Sequence, residues 1–70
     1  MSKLYVYFDF QSASPDVHRA SVGRIYDNPA ISFLEILDYG KTLLRTGEKL
    51  SGIRLYYEDE ILIVAEPKNG

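Results

Sequence analysis

Two stretches of this chain alternate apolar and polar residues with the period of a β-strand. A third carries apolar residues at helical spacing. In residues 3–10, Leu4, Val6, Phe8 and Phe10 fall on one side, with Lys3, Tyr5, Tyr7 and Asp9 on the other. The first side reads as core and the second as wet or amphipathic. The closing stretch, Gly52–Glu66, reads as an antiparallel hairpin at the centre of a small sheet. Ile53, Leu55 and Tyr57 alternate with Arg54 and Tyr56 in its first arm, Glu58-Asp59-Glu60 turn the chain, and Pro67 ends the second arm. In that second arm Ile61, Ile63 and Ala65 alternate with Leu62 and Val64, so both sides are apolar. This predicts a central strand, or one that also meets a second subunit.

The middle is less regular. Residues 11–16 read as a loop ending in Ser14-Pro15-Asp16, which is a helix start: a capping hydroxyl, a proline at the first helical position and an acid near the positive dipole end. It predicts a short helix from Val17 to about Tyr26, with Val17, Ala20, Ser21 and Ile25 along one side. The rival is a strand over Ser21–Tyr26, and Gly23 weakens both readings. Asn28 as cap and Pro29 at the first position then open a longer helix, Ala30–Thr46. Phe33, Leu37, Gly40 and Leu44 follow one line, Ile36 and Leu43 lie beside them, and Gly47 stands just past the end. The competing pattern is two strands, Ile31–Leu37 and Thr42–Arg45. Glu48–Gly52 reads as a polar connection anchored by Leu50, and residues 67–70 as a frayed tail.

These elements predict a single α+β domain over residues 1–70: an antiparallel sheet of three to four strands with one main helix packed on one face. An all-β small barrel is the alternative. The expected core is Leu4, Val6, Phe8, Phe33, Leu37, Leu44, Ile53, Leu55, Ile61 and Ile63. A chain of 70 residues buries only about 60% of the surface its unfolded form exposes. It has no cysteine for a disulfide or a thiolate metal site. Stability must come from a compact core, a partner or self-association, so a homodimer is one outcome the size argument favours.

The net charge of −2 argues against sequence-independent nucleic-acid binding, which needs many basic residues to displace counterions. No apolar run is long enough to span a membrane. The opening Met1-Ser2-Lys3-Leu4 shows neither a signal-peptide core nor a myristoylation pattern, so a cytoplasmic location is expected.

Candidate chemistry is sparse. His18 is the one histidine, with no second imidazole or thiol to complete a triad. A surface histidine on a short helix accounts for it, and metal binding by His18 with Asp16 would need further ligands that the sequence does not place nearby. Glu58-Asp59-Glu60 reads as a solvated hairpin tip that discourages edge pairing. No catalytic residue, metal site or cofactor is expected. The order of strand, two helices and hairpin resembles that of RelE/ParE-type toxins. Those are usually basic and longer, and this hairpin ends in Ala65-Glu66-Pro67 without the basic cluster that such toxins use on RNA, so no family is assigned.

The aromatic pattern is the informative one. The chain holds six tyrosines. If the first strand and the hairpin share a sheet, Lys3, Tyr5, Tyr7, Arg54 and Tyr56 line one face. Tyrosine and arginine give large rigid contact area with a polar tip, as interface hot spots do. The expected function is non-enzymatic protein binding by an inhibitor or adaptor, through this face or the sheet edge. By analogy of size and charge alone, it is of the kind phages encode against host machinery. The alternative is a small single-stranded nucleic-acid-binding protein using the same rings to stack bases.

Overall fold

The computed structural model describes residues 3–14, 16, 18–57 and 60–65, the last stretch for its backbone. Its elements in chain order are β1 (Leu4–Ser12), β2 (Val22–Tyr26), α1 (Phe33–Thr42), β3 (Glu48–Tyr57) and β4 (Glu60–Ala65). The strands form one antiparallel sheet in the order β2-β1-β3-β4. The α+β expectation holds. The sheet is open, with β2 and β4 as its edges, and the barrel alternative falls.

β1 is the centre of the pairing. It takes β3 along its whole length, from Leu4↔Tyr57 to Ser12↔Glu48, and β2 on its other side from Leu4↔Tyr26 to Phe8↔Val22. Both neighbours run antiparallel to β1, so β2 and β3 are parallel to each other. Parallel strands cannot be joined by a tight turn; they need a crossover of a dozen or more residues, usually helical. This is why the middle of the chain holds a helix rather than the competing pair of strands.

Four expectations are corrected. The helix over Val17–Tyr26 is replaced across Val22–Tyr26 by β2, the rival strand; Pro15 and Val17 lie outside the described residues. The free edge of β1 supplies hydrogen-bonding partners that an isolated short helix would lack. Gly23 is tolerated there because the Tyr7 ring covers it: a Cβ at Gly23 would stand 2.9 Å from Tyr7 Cε1. Next, Glu48–Gly52 is not a connection but the first half of β3. Asp9 pairs with Gly52 and Phe10 with Leu50, so Ser51 is an extra residue, and this bulge returns Leu50 to the core side.

The helix is also shorter than the periodicity suggests, Phe33–Thr42 instead of Ala30–Thr46. Asn28 closes its own turn, its side chain accepting from the Ala30 N–H (3.0 Å) and its carbonyl from the Ile31 N–H (3.2 Å). The cap is Ser32, whose Oγ accepts from the Leu34 N–H at 3.2 Å. At the far end Arg19 Nη1 donates to the Leu43 carbonyl at 2.9 Å, satisfying one of the last free carbonyls. Gly47, with φ +82°, shapes the turn into β3 instead of ending the helix. Finally, among the described residues β4 pairs only with β3 and is an edge strand, so the central-strand half of that expectation falls.

The core lies between α1 and the sheet: Leu4, Val6, Phe8, Ile36, Leu50, Ile53 and Leu55. Phe8, Ile36, Ile53 and Val6 are fully buried, each contributing about 1.5–3 kcal/mol as a buried apolar side chain. Leu37 and Leu44 are half-buried, and Phe33 is 37% exposed, so these three are not the centre of the core. The buried positions of the helix are Ile36 and Gly40 instead. Gly40 decides this rotation, because its bare backbone lets α1 close onto the Phe8 ring. The side chains of Ile61 and Ile63 lie outside the described residues, as do the hairpin tip at 58–59 and the tail at 67–70.

Two cationic side chains tie the layers together. Arg24 of β2 stacks 4.0 Å from the Tyr39 ring of α1 and 4.8 Å from Tyr26. Arg19 lies 4.2 Å from the Phe10 ring and meets Glu48 Oε1 at 2.7 Å, where the Glu48 side chain is 7% exposed. The same carboxylate oxygen accepts from the Arg45 N–H at 2.8 Å. That backbone donor, with Arg19 in support and against the effect of burial, holds the Glu48 carboxyl below its ordinary value of 4.5.

Two outcomes follow. A Cβ at residue 40 would sit 2.7 Å from Phe8 Cδ1 and 3.1 Å from Leu50 Cδ1. Gly40→Ala gains about 1 kcal/mol of helix propensity but overpacks a filled core, which costs about 1–3 kcal/mol. The net result in thermal unfolding is a lower Tm; an unchanged or raised Tm would show that the Phe8 ring yields freely. For Glu48, a depressed carboxyl contributes stability that is complete above its unfolded pKa and is lost as pH falls through the lower folded value. Glu48→Gln therefore lowers the urea midpoint at neutral pH, and its gap from the parent narrows well below 4.5. A gap that does not change with pH contradicts the ion pair's role.

Candidate functional site

The face of the sheet away from α1 is built by strict alternation. In β1 the residues between the core positions are Tyr5, Tyr7 and Asp9. In β3 their register partners are Tyr56, Arg54 and Gly52. On the other side Tyr5 pairs with Ile25 and Tyr7 with Gly23. In β4 a register shift makes Leu62 an extra residue, so that Ile61 stands opposite Tyr56 and Val64 opposite Arg54. Two rows therefore cross all four strands: Ile25, Tyr5, Tyr56 and Ile61, then Gly23, Tyr7, Arg54 and Val64. The bulge also breaks the simple alternation expected for residues 61–65, because it places Ile61 and Ile63 at register positions of opposite faces.

Of the five residues expected to bind a partner, Tyr5, Tyr7, Arg54 and Tyr56 fall on this face, and Lys3 immediately precedes β1. Tyr7 and Tyr56 meet edge to face with ring centroids 5.8 Å apart. The Arg54 guanidinium stands 5.4 Å from the Tyr7 ring centre. Tyr5, Tyr7, Ser21, Arg54 and Tyr56, with Tyr57 at the margin, line an open concavity of about 590 Å³. Tyr7 is 38% exposed and Ile25 55%. Lys3 sits at one end, its Nζ 3.9 Å from Asp27 Oδ1.

The other end is polar and internally matched. Arg54 Nε donates to Asp9 Oδ2 and its Nη2 to Asp9 Oδ1, both at 2.9 Å, a bidentate fork. Arg54 Nη2 also donates to Ser21 Oγ at 3.0 Å, and the Ser21 hydroxyl donates to Asp9 Oδ1. The Asp9 hydrogen bond pushes the already high pKa of Arg54 higher, against partial desolvation. The guanidinium is thus a fixed cation whose partner is supplied by its own sheet. Lys3 faces Asp27 and Arg54 faces Asp9, while the exposed Lys49, paired with Gln11, adds a cation farther along the same side.

Chemically, this arrangement offers rigid aromatic area, phenol hydroxyls and a pre-oriented ion pair. Alternation along β1 also puts Asp9 on this face, where its role as the partner of Arg54 emerges only from the fold. Gly23, Ile25 and Ser21 are absent from the expected site, because a helix over that region removes them from the sheet. The alternation of Val22, Arg24 and Tyr26 with Gly23 and Ile25 was the signal that could have found them.

His18 lies elsewhere. It is exposed and borders a second concavity with Phe10, Gln11, Ser12, Ala13, Ser14 and Arg19. Among the described residues no three of the His, Asp and Glu side chains converge as a metal site. Among them too, no helix is long and apolar enough to cross a membrane. Comparison with protein-family models, curated proteins and solved structures gives no match.

The Asp9 and Arg54 side chains are each about a third exposed, so solvent screens the pair and its stability contribution is about 1 kcal/mol or less. Asp9→Asn should lower the urea-unfolding free energy by no more than that, while the Arg54 Nε–H resonance moves as its charged acceptor disappears. A loss several times larger would mean that the fork holds the sheet together, not that it dresses the face.

Proposed function

We propose that this chain is a non-enzymatic protein-binding module, an inhibitor or adaptor acting in the cytoplasm, and that its partner docks on the tyrosine face of the sheet. The observation that carries this reading is the β1–β3 register. It sets Tyr5 beside Tyr56 and Tyr7 beside Arg54, on the side of the sheet that α1 leaves uncovered. Tyrosines held by strands lose little side-chain entropy on binding. Their rings add apolar contact while their hydroxyls take hydrogen bonds. Arg54 and Asp9 add one oriented polar point at the end of the apolar rows.

The same geometry weakens the nucleic-acid alternative. Phosphate binding relies on cations free to replace counterions, and Arg54 is already held by Asp9. The chain as a whole carries a net charge of −2.

The test is affinity capture from the native host with the parent chain and with Tyr5→Ala, Tyr7→Ala and Tyr56→Ala. At least one of these should weaken the specific capture of a protein by about 2 kcal/mol, the scale of an interface hot spot. Leu34→Ala, on the exposed outer side of α1, should leave capture intact. If all three tyrosine variants retain every captured protein, the face is not the docking surface.

A further inference from the structure

We propose that in the free protein the uncovered sheet face is closed by a second copy of this chain. The two sheets pack face to face about a two-fold axis, and a foreign partner must displace the second copy to reach the tyrosines. The displacement step rests on the partner-binding reading above; the dimer itself does not.

The molecule exposes more surface than its mass accounts for. Its accessible area is 5036 Å² at 8.0 kDa, where a folded monomer of that mass exposes about 4,450 Å². An interface of standard size buries ~800 Å² on each partner. The shape agrees: extents of 41 × 20 × 16 Å and a radius of gyration of 12.5 Å, against about 11 Å for a compact chain of this length. One helix covers one side of the sheet, and among the described residues nothing covers the other.

A two-fold interface must be complementary to itself, and this face is. Its centre is aromatic and aliphatic: Tyr5, Tyr7, Tyr56 and Ile25, with Ile61 and Val64 continuing the rows in register. A phenol is both donor and acceptor, so identical tyrosines can satisfy one another across the axis. The charges are compensated at both ends, Lys3 by Asp27 and Arg54 by Asp9. These two pairs lower the charge that two copies bring together at the aromatic centre. Sheets packed in this way lie about 10 Å apart and nearly aligned.

The β4 edge is the competing contact, since Ile61–Ala65 is apolar throughout and β4 pairs only with β3. Its Leu62 bulge interrupts the ladder there, a device that blunts edge-to-edge pairing.

Sedimentation of the full chain from micromolar to near-millimolar concentration tests the proposal. A monomer–dimer equilibrium is expected. Tyr56→Arg and Ile25→Glu should each raise the dimer dissociation constant at least about tenfold, which is about 1.4 kcal/mol, with circular dichroism unchanged. Ile25 is already 55% exposed, so its substitution reports on the face even if Tyr56→Arg disturbs folding. A chain that stays monomeric at every concentration overturns the proposal. So does a dimer indifferent to Ile25→Glu and Tyr56→Arg, including one lost only in Ile63→Pro, which would place the contact at the β4 edge. A monomer whose tyrosine variants still lose a captured protein refutes self-association alone. A face-dependent dimer whose capture of other proteins ignores those tyrosines refutes the partner reading alone.

Discussion

The pairing of β1 with β3 is the constraint from which the rest of the molecule follows. The strands match from Leu4↔Tyr57 to Ser12↔Glu48 across a single bulge. Side chains alternate with a period of two, so this one register sorts every residue of both strands between the faces. Leu4, Val6 and Phe8 go inward with Leu55, Ile53 and Leu50. Tyr5, Tyr7 and Asp9 go outward with Tyr56 and Arg54. A slip of one residue would bury the tyrosines and expose the core. The same pairing leaves one edge of β1 for β2, makes β2 and β3 parallel, and so requires a crossover that only a helix fills economically.

A chain this small, without cysteines, has few ways to hold that helix in place. The core among the described residues is short, and the docking of α1 depends on the missing Cβ of Gly40 over the Phe8 ring. The remaining fasteners are cations on aromatic rings. Three of the four arginines lie on them: Arg19 on Phe10, Arg24 on Tyr39 and Tyr26, and Arg54 on Tyr7. Each is worth about 0.5–2 kcal/mol depending on its exposure. Arg19 does most, since it also meets Glu48 and the helix's terminal carbonyl.

This use of arginine bears on function. A basic residue that is already stacked and paired is a poor phosphate ligand and a good rigid edge for an apolar contact. The outer face thereby combines low charge with fixed aromatic area, which suits recognition of protein surface, whether foreign or a second copy. Its value to a partner lies in pre-organisation: the register and the Asp9–Arg54 fork hold the side chains in place before binding, so little ordering is left to be done.

What the amino-acid order determined by itself was the content of strongly alternating segments. Lys3, Tyr5, Tyr7, Arg54 and Tyr56 could be placed on one face because a strand's two-residue period is local and needs no partner to be read. The α+β class was legible for the same reason, together with the helical spacing of the middle segment. The tertiary structure decided whatever depended on a neighbour. Val22–Tyr26 became a strand because β1 offered an edge, and Glu48–Gly52 became a strand because β1 ran on to Ser12. The rotation of α1 was set by Gly40 meeting Phe8, and the Leu62 bulge chose which residues of β4 share the tyrosine face. Register, edge pairing and close approach are properties of two segments at once, and no periodicity within one segment contains them.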